Sequence, residues 1–141
     1  MIKPKGMTIL ETQLQPHEAI EQFRSAVEAF GMKAFALIDF AADAKDAGLT
    51  MEDAVLLVFG NPKVGTLLLI DAPHSGIDLP LKAFAWTHQG KNWLSYNEPA
   101  YIARRHGLSM AGPIQKMSEA LKNAVTQALS NHASRETEET P

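Results

Sequence analysis

The chain has 141 residues, 45% of them apolar and 21% charged, with a formal charge of −3 and no cysteine. That length suits one domain with its own core, and the missing thiols exclude disulfides, thiolate nucleophiles, zinc–thiolate sites and iron–sulfur clusters. Lys3/Lys5 and Arg104/Arg105 are the only close basic pairs, too few for a nucleic-acid stripe. Residues 1–14 lack the apolar core of a secretory signal and no apolar run reaches the length of a membrane span, so a cytoplasmic protein without membrane or nucleic-acid partners is expected.

In chain order, Ile9 and Leu10 among polar residues make Thr8–Leu14 a first strand. Pro16 opens a helix, where its missing N–H costs nothing. Ile20, Phe23, Val27 and Phe30 form its apolar stripe, Glu18 and Glu21 lie near its positive end, and Gly31 stops it. Lys33–Phe40 alternates as a second strand, and Ala41–Ala47 is a short helix closed by Gly48. Asp53 precedes a continuous apolar run, Ala54–Phe59, the pattern of a central strand buried on both faces.

Two readings are open after that run. Asn61–Gly65 suits a hairpin loop leading into a leucine-rich strand. Equally, Asn61 suits an N-cap and Pro62 a first helical residue, with the helix running to Ala72 before Pro73. Asn followed by Pro favours the helix; Gly65, costing about 1 kcal/mol in a helix interior, speaks against it.

Leu79–His88 and Lys91–Asn97 flank Gln89-Gly90 as a β-hairpin. If His88 pairs with Lys91, Trp86 faces Trp93 and Ala83 faces Tyr96, and Pro80 must stand at an edge or at the strand's start. Asn97–Pro99 opens a short helix, Ala100–His106, ended by Gly107. Pro113 opens the last one, with Ile114, Met117, Leu121, Val125 and Ala128 at helical spacing. Residues 131–141 carry no apolar anchor, so a disordered tail is expected to follow a single domain of residues 1–130. The fold class expected is α+β: a mostly antiparallel sheet of four to five strands, two main helices and shorter helical turns.

Several spaced elements carry a family resemblance. They are Phe59–Lys63 with Gly65 and Thr66, then Gly76–Lys82, Tyr96–Pro99, and Tyr101–Leu108. Together with the preceding helix and FALIDFAADAKDAGL, residues 8–108 resemble the domain of unknown function 302 family. One departure is Leu67–Ile70, where the family often carries a Pro-Leu-Met-Gln type of segment. The resemblance implies a compact α+β fold and a homodimer, and it implies no activity.

Gly60–Thr66 has the glycine spacing of a phosphate-binding loop, but Thr66 stands where the lysine belongs and Pro62 removes an N–H. What remains is a helix N-terminus beside Lys63, able to hold an anion through free N–H groups, or a turn that Asn61 and Thr66 merely cap. Asp78 and Lys82, about 13 Å apart along a strand, cannot pair. Lys82 falls on the side of Phe84 and Trp86, either snorkelling along the aromatics or serving a pocket walled by Tyr96, Asn97 and Tyr101. Asp78 also suits a simple turn cap. The five histidines show no metal-ligand spacing, and no serine sits in a nucleophile elbow.

The residues therefore point to a dimeric module binding a small anionic or polar ligand in one cleft, formed by Asn61, Lys63, Gly65, Thr66, Asp78, Lys82, Tyr96, Asn97 and Tyr101. No catalytic residue, metal or cofactor is assigned. The alternatives are an enzyme using Lys82, Tyr96, Asp78 or His74 for proton transfer, and a protein–protein adaptor with no small-molecule site.

Overall fold

The computed structural model describes the backbone of residues 3–139 and, in the last helix, side chains as far as residue 127. The elements are β1 (Met7–Thr12), α1 (Pro16–Ala29), β2 (Lys33–Asp39), α2 (Phe40–Asp46), β3 (Ala54–Gly60), α3 (Pro62–Asp71), a 3-10 turn (Pro73–Ile77), β4 (Leu81–His88), β5 (Lys91–Asn97), α4 (Pro99–His106) and α5 (Ala111–Glu139). The five strands form one sheet in the order β1-β5-β4-β3-β2, every neighbouring pair antiparallel. The α+β class and single sheet expected from the sequence are what the chain adopts.

Helices α1 and α5 pack against each other on one face of the sheet. Ile20, Phe23 and Val27 of α1 are fully buried, with the Phe23 ring edge-on to Phe59 of β3 at 5.2 Å between centroids. Phe30, the fourth residue of the expected stripe, is the C-cap of α1 and is exposed. On α5, Ile114, Met117, Leu121 and Val125 complete the same core beside α1. The sheet meets them with Val55, Leu57 and Phe59 of β3 and with Leu81, Ala83 and Ala85 of β4. Ala83 and Ala85 are fully buried, and such small side chains let helix and sheet approach closely. Ala128 and the expected tail at 131–141 fall among side chains outside the described ones; the backbone is helical through Glu139.

The open question after β3 resolves as a helix. Asn61 Oδ1 accepts from Lys63 N at 3.0 Å and from Val64 N at 3.2 Å, and Pro62 takes the first helical position. Leu68 alone of α3 is fully buried, while Leu67, Leu69 and Ile70 are exposed. Helical rotation spreads the four consecutive apolar residues around the axis, where a strand would have put alternate ones into the core. The hairpin has the expected register, His88 with Lys91, Trp86 with Trp93, Ala83 with Tyr96. Gln89 (φ 50°) and Gly90 (φ 80°) make the left-handed turn that two-residue hairpins need.

One expectation about β3 needs correction. Val55, Leu57 and Phe59 are buried, but Leu56 and Val58, on the alternate side, are only half-buried. The two main helices, α1 and α5, cover a single face of the sheet, and on the other face Phe40 of α2 reaches Phe84, so a strand apolar on both sides is fully covered on only one.

Candidate functional site

The uncovered face is a grid set by the strand registers. Its middle row reads Ile9, Ser95, Phe84, Leu56, Ile38 across all five strands. The row below is Glu11, Trp93, Trp86, Ala54, and the row above pairs Met7 with Asn97 and Lys82 with Val58 and Ala36. Aromatic rings run across its centre: Phe84 stacks on Trp86 at 5.4 Å, Trp86 on Trp93 at 6.5 Å, and Phe40 meets Phe84 edge-on at 5.8 Å. Within these rows Lys82 and Glu11 are the only charges, and neither makes an ion pair among the described residues. The face dips into a shallow hollow of about 370 Å³ bounded by Met7, Ile9, Leu56, Lys82, Phe84, Trp86 and Asn97. Lys82 Nζ lies 3.5 Å from the Pro80 carbonyl, at the long limit of a hydrogen bond.

The residues expected to form one cleft are divided among separate places. Lys82 and Asn97 meet in the hollow just described, whereas Tyr96, paired with the buried Ala83, projects from the opposite face of the sheet toward α5. Asn61, Gly65 and Thr66 line a second, apolar hollow of about 240 Å³ with Phe35, Leu69, Pro80, Leu81 and Met117. Lys63 is at the start of α3, its N–H taken by Asn61. Pro62 has no N–H, Val64 N bonds Asn61 Oδ1, and Gly65 N bonds Asn61 O at 2.8 Å. Every first-turn donor is thus used inside the chain, and the helix end has none left to offer an anion. Thr66 Oγ1 donates back to Pro62 O at 2.7 Å.

Asp78 and Tyr101 belong to neither hollow. Asp78 Oδ2 accepts from Arg105 Nη1 at 2.7 Å and from His106 Nε2 at 2.5 Å. Those partners hold its carboxyl below the ordinary carboxylate range, the His106 hydrogen bond first and the Arg105 charge after it, against partial burial. With Nε2 donating, a neutral His106 keeps its lone pair on Nδ1, which accepts from His74 Nδ1 at 2.8 Å. Arg105 and His106 are the residues that spacing could not find, because 27 and 28 positions separate them from Asp78. Tyr101 packs its ring over Gly6, where φ is +76° and an added Cβ would stand 2.1 Å from the ring. Glycine is needed there for both conformation and space.

On the helix-covered side of the sheet, burial raises the Tyr96 phenol above the ordinary value, with Thr8 opposing the effect and Glu98 adding to it. A tyrosine held protonated is a hydrogen-bond donor, not a base. Among the described residues no group of three or more His, Asp or Glu converges as a metal site, and no helix is long and apolar enough to cross a membrane.

Two Brucella proteins named fluoride-specific ion channel FluC 1, from B. suis biovar 1 and B. abortus biovar 1, are each 38% identical to the chain over 122 residues, or 86% of it. The match takes in 46% and 43% of their respective lengths, so the chain spans less than half of these relatives. In fold it is similar to the crystal structure of an uncharacterized conserved protein DUF302 from Bacillus stearothermophilus, at TM-score 0.77 and 14% identity, covering 89% of this chain and 99% of that one. The model of one family, domain of unknown function DUF302, matches residues 8–128, and the chain belongs to that family.

Proposed function

We propose that the domain is a binding module whose recognition surface is the uncovered face of its sheet, and that a second copy of the chain fills it. The observation that carries this reading is the grid of half-buried aromatic and aliphatic side chains on a face that α1 and α5 leave open and that Phe40 of α2 meets at Phe84. An apolar face of that extent, rimmed by polar groups, is how association surfaces differ from ordinary exposed residues. Two sheets packing face to face would bury it at a separation of about 10 Å, as in a sandwich core. Light scattering and sedimentation across a concentration series test it. A dimer is expected, and Leu56→Glu is expected to give a folded monomer, since Leu56 points away from the helices. A parent chain that stays near 15.4 kDa at high concentration removes this reading.

A second reading places a small polar or anionic ligand beside Lys82 in the 370 Å³ hollow. It is favoured by the loosely held ammonium and by Asn97 as a hydrogen-bond partner. A thermal-shift screen with small carboxylates and phosphates tests it, since a ligand of the folded state raises the midpoint. Proton-transfer chemistry by Lys82, Tyr96 and Asp78 has no such support, because Asp78 is engaged by Arg105 and His106 away from the other two. In the channel relatives, on this reading, the pore belongs to the length outside the match and this domain is its non-spanning companion.

A further inference from the structure

We infer that the two copies meet in one register, in which Lys82 of each stands over Glu11 of the other, with the strands of the two sheets crossing steeply. The inference rests on the reading that a second copy covers the open face, and adds to it how the copies are oriented. Lys82 is on β4 in the upper row and Glu11 on β1 in the lower, two strands and four residues apart. Ser95 of β5, in the middle row, lies halfway between them. The two charges are about 10 Å apart across the strands and about 13 Å along them, on opposite sides of Ser95.

A symmetric face-to-face pair has its two-fold axis in the plane between the sheets, and contacts come in equivalent pairs. An axis through Ser95 at right angles to the Lys82–Glu11 line exchanges those two positions. Both lysines then meet both glutamates at once. In this arrangement the strands of the two copies cross at roughly 70°, within the orthogonal class of sheet packing rather than the aligned one. Turning either copy to the aligned class takes Lys82 away from Glu11 and sets a charge over the apolar rows. A charge buried without a partner is strongly unfavourable, which gives the pair its power to select one register. Ser95 fits the axis: it is small and buried, and its hydroxyl donates into its own sheet at 3.1 Å to Phe84 O, so it presents no unpaired polar group where the copies are closest.

Charge exchange tests the register. Lys82→Glu alone and Glu11→Lys alone each put two like pairs in contact and are expected to raise the dimer dissociation constant about tenfold or more. The double variant, Lys82→Glu with Glu11→Lys, restores opposite pairs and is expected to return within about threefold of the parent. Circular dichroism confirms that all three are folded. If the single variants weaken the dimer and the double variant does not recover it, this register is wrong. If charge reversal leaves association untouched while Leu56→Glu still abolishes it, the face is the interface but the pairing is overturned. A parent chain that is monomeric throughout removes the proposal together with the reading on which it rests.

Discussion

The two faces of the sheet are built from the same strands and have opposite fates. On the covered side Val55, Leu57, Phe59, Leu81, Ala83 and Ala85 disappear beneath α1 and α5. On the other side Leu56, Val58, Phe84 and Trp86 are as apolar in composition but only half-buried. Composition alone therefore does not make a core; a second layer from the same chain does. Helix α3 repeats the contrast on a small scale, with Leu68 fully buried and its neighbour Ile70 at 72% exposure.

The largest expected effect comes from the covered side. Phe23→Ala removes the ring that meets Phe59 and should destabilise the fold by about 3–5 kcal/mol in urea unfolding. Phe84→Ala, the same substitution on the open face, should cost clearly less when measured at concentrations where the chain is monomeric. Equal losses would break the contrast between the faces. In α3, Leu68→Ala should cost about 2–5 kcal/mol, while Ile70→Ser should stay within about 0.5 kcal/mol. A large loss at Ile70 in dilute solution would show the helix to be more deeply packed than described.

The corner between α3 and α4 depends on charge rather than on apolar contact. Asp78→Ala strands His106 and Arg105 and should cost about 1.5–3 kcal/mol at neutral pH. Because the folded carboxyl titrates below the unfolded one, the folded state binds fewer protons between the two values, and stability there rises with pH. The contribution is complete above the unfolded carboxyl's pKa near 4 and is lost as pH falls through the lowered folded value. Parent and variant stabilities should therefore converge in acid, and a gap that is constant with pH would refute the ion-pair account. The smallest effect is at the hairpin. Gln89 has φ +50°, a region asparagine tolerates better, so Gln89→Asn should stabilise by about 0.5 kcal/mol in thermal unfolding.

The recognisable elements share a local cause. The hairpin register follows from Gln89-Gly90 because a two-residue turn leaves one pairing available. Asn61-Pro62 specified the start of α3 because capping and the proline φ act within three residues. The family pattern was readable for the same reason: its turns and caps are contiguous stretches. Local spacing also put Lys82 on the same side as Phe84 and Trp86, and the structure keeps it there. It did not tell whether helices or open space stood above them.

Tertiary packing decided the rest. The sequence could assign β3 two apolar sides but not the number of layers, and with α1 and α5 on one side only, Leu56 and Val58 were left at the surface. It could propose Asn61 to Thr66 as an anion cradle, yet the Asn61 side chain occupies the donors that an anion would need. The nine residues expected in one cleft were dispersed because strand alternation, helix rotation and the turn before β4 send them in different directions. Asp78 instead found Arg105 and His106, 27 and 28 positions away. Short-range propensities act over a few residues and are written in the sequence directly. Which distant side chains meet, and which face is left uncovered, is settled only when the layers close.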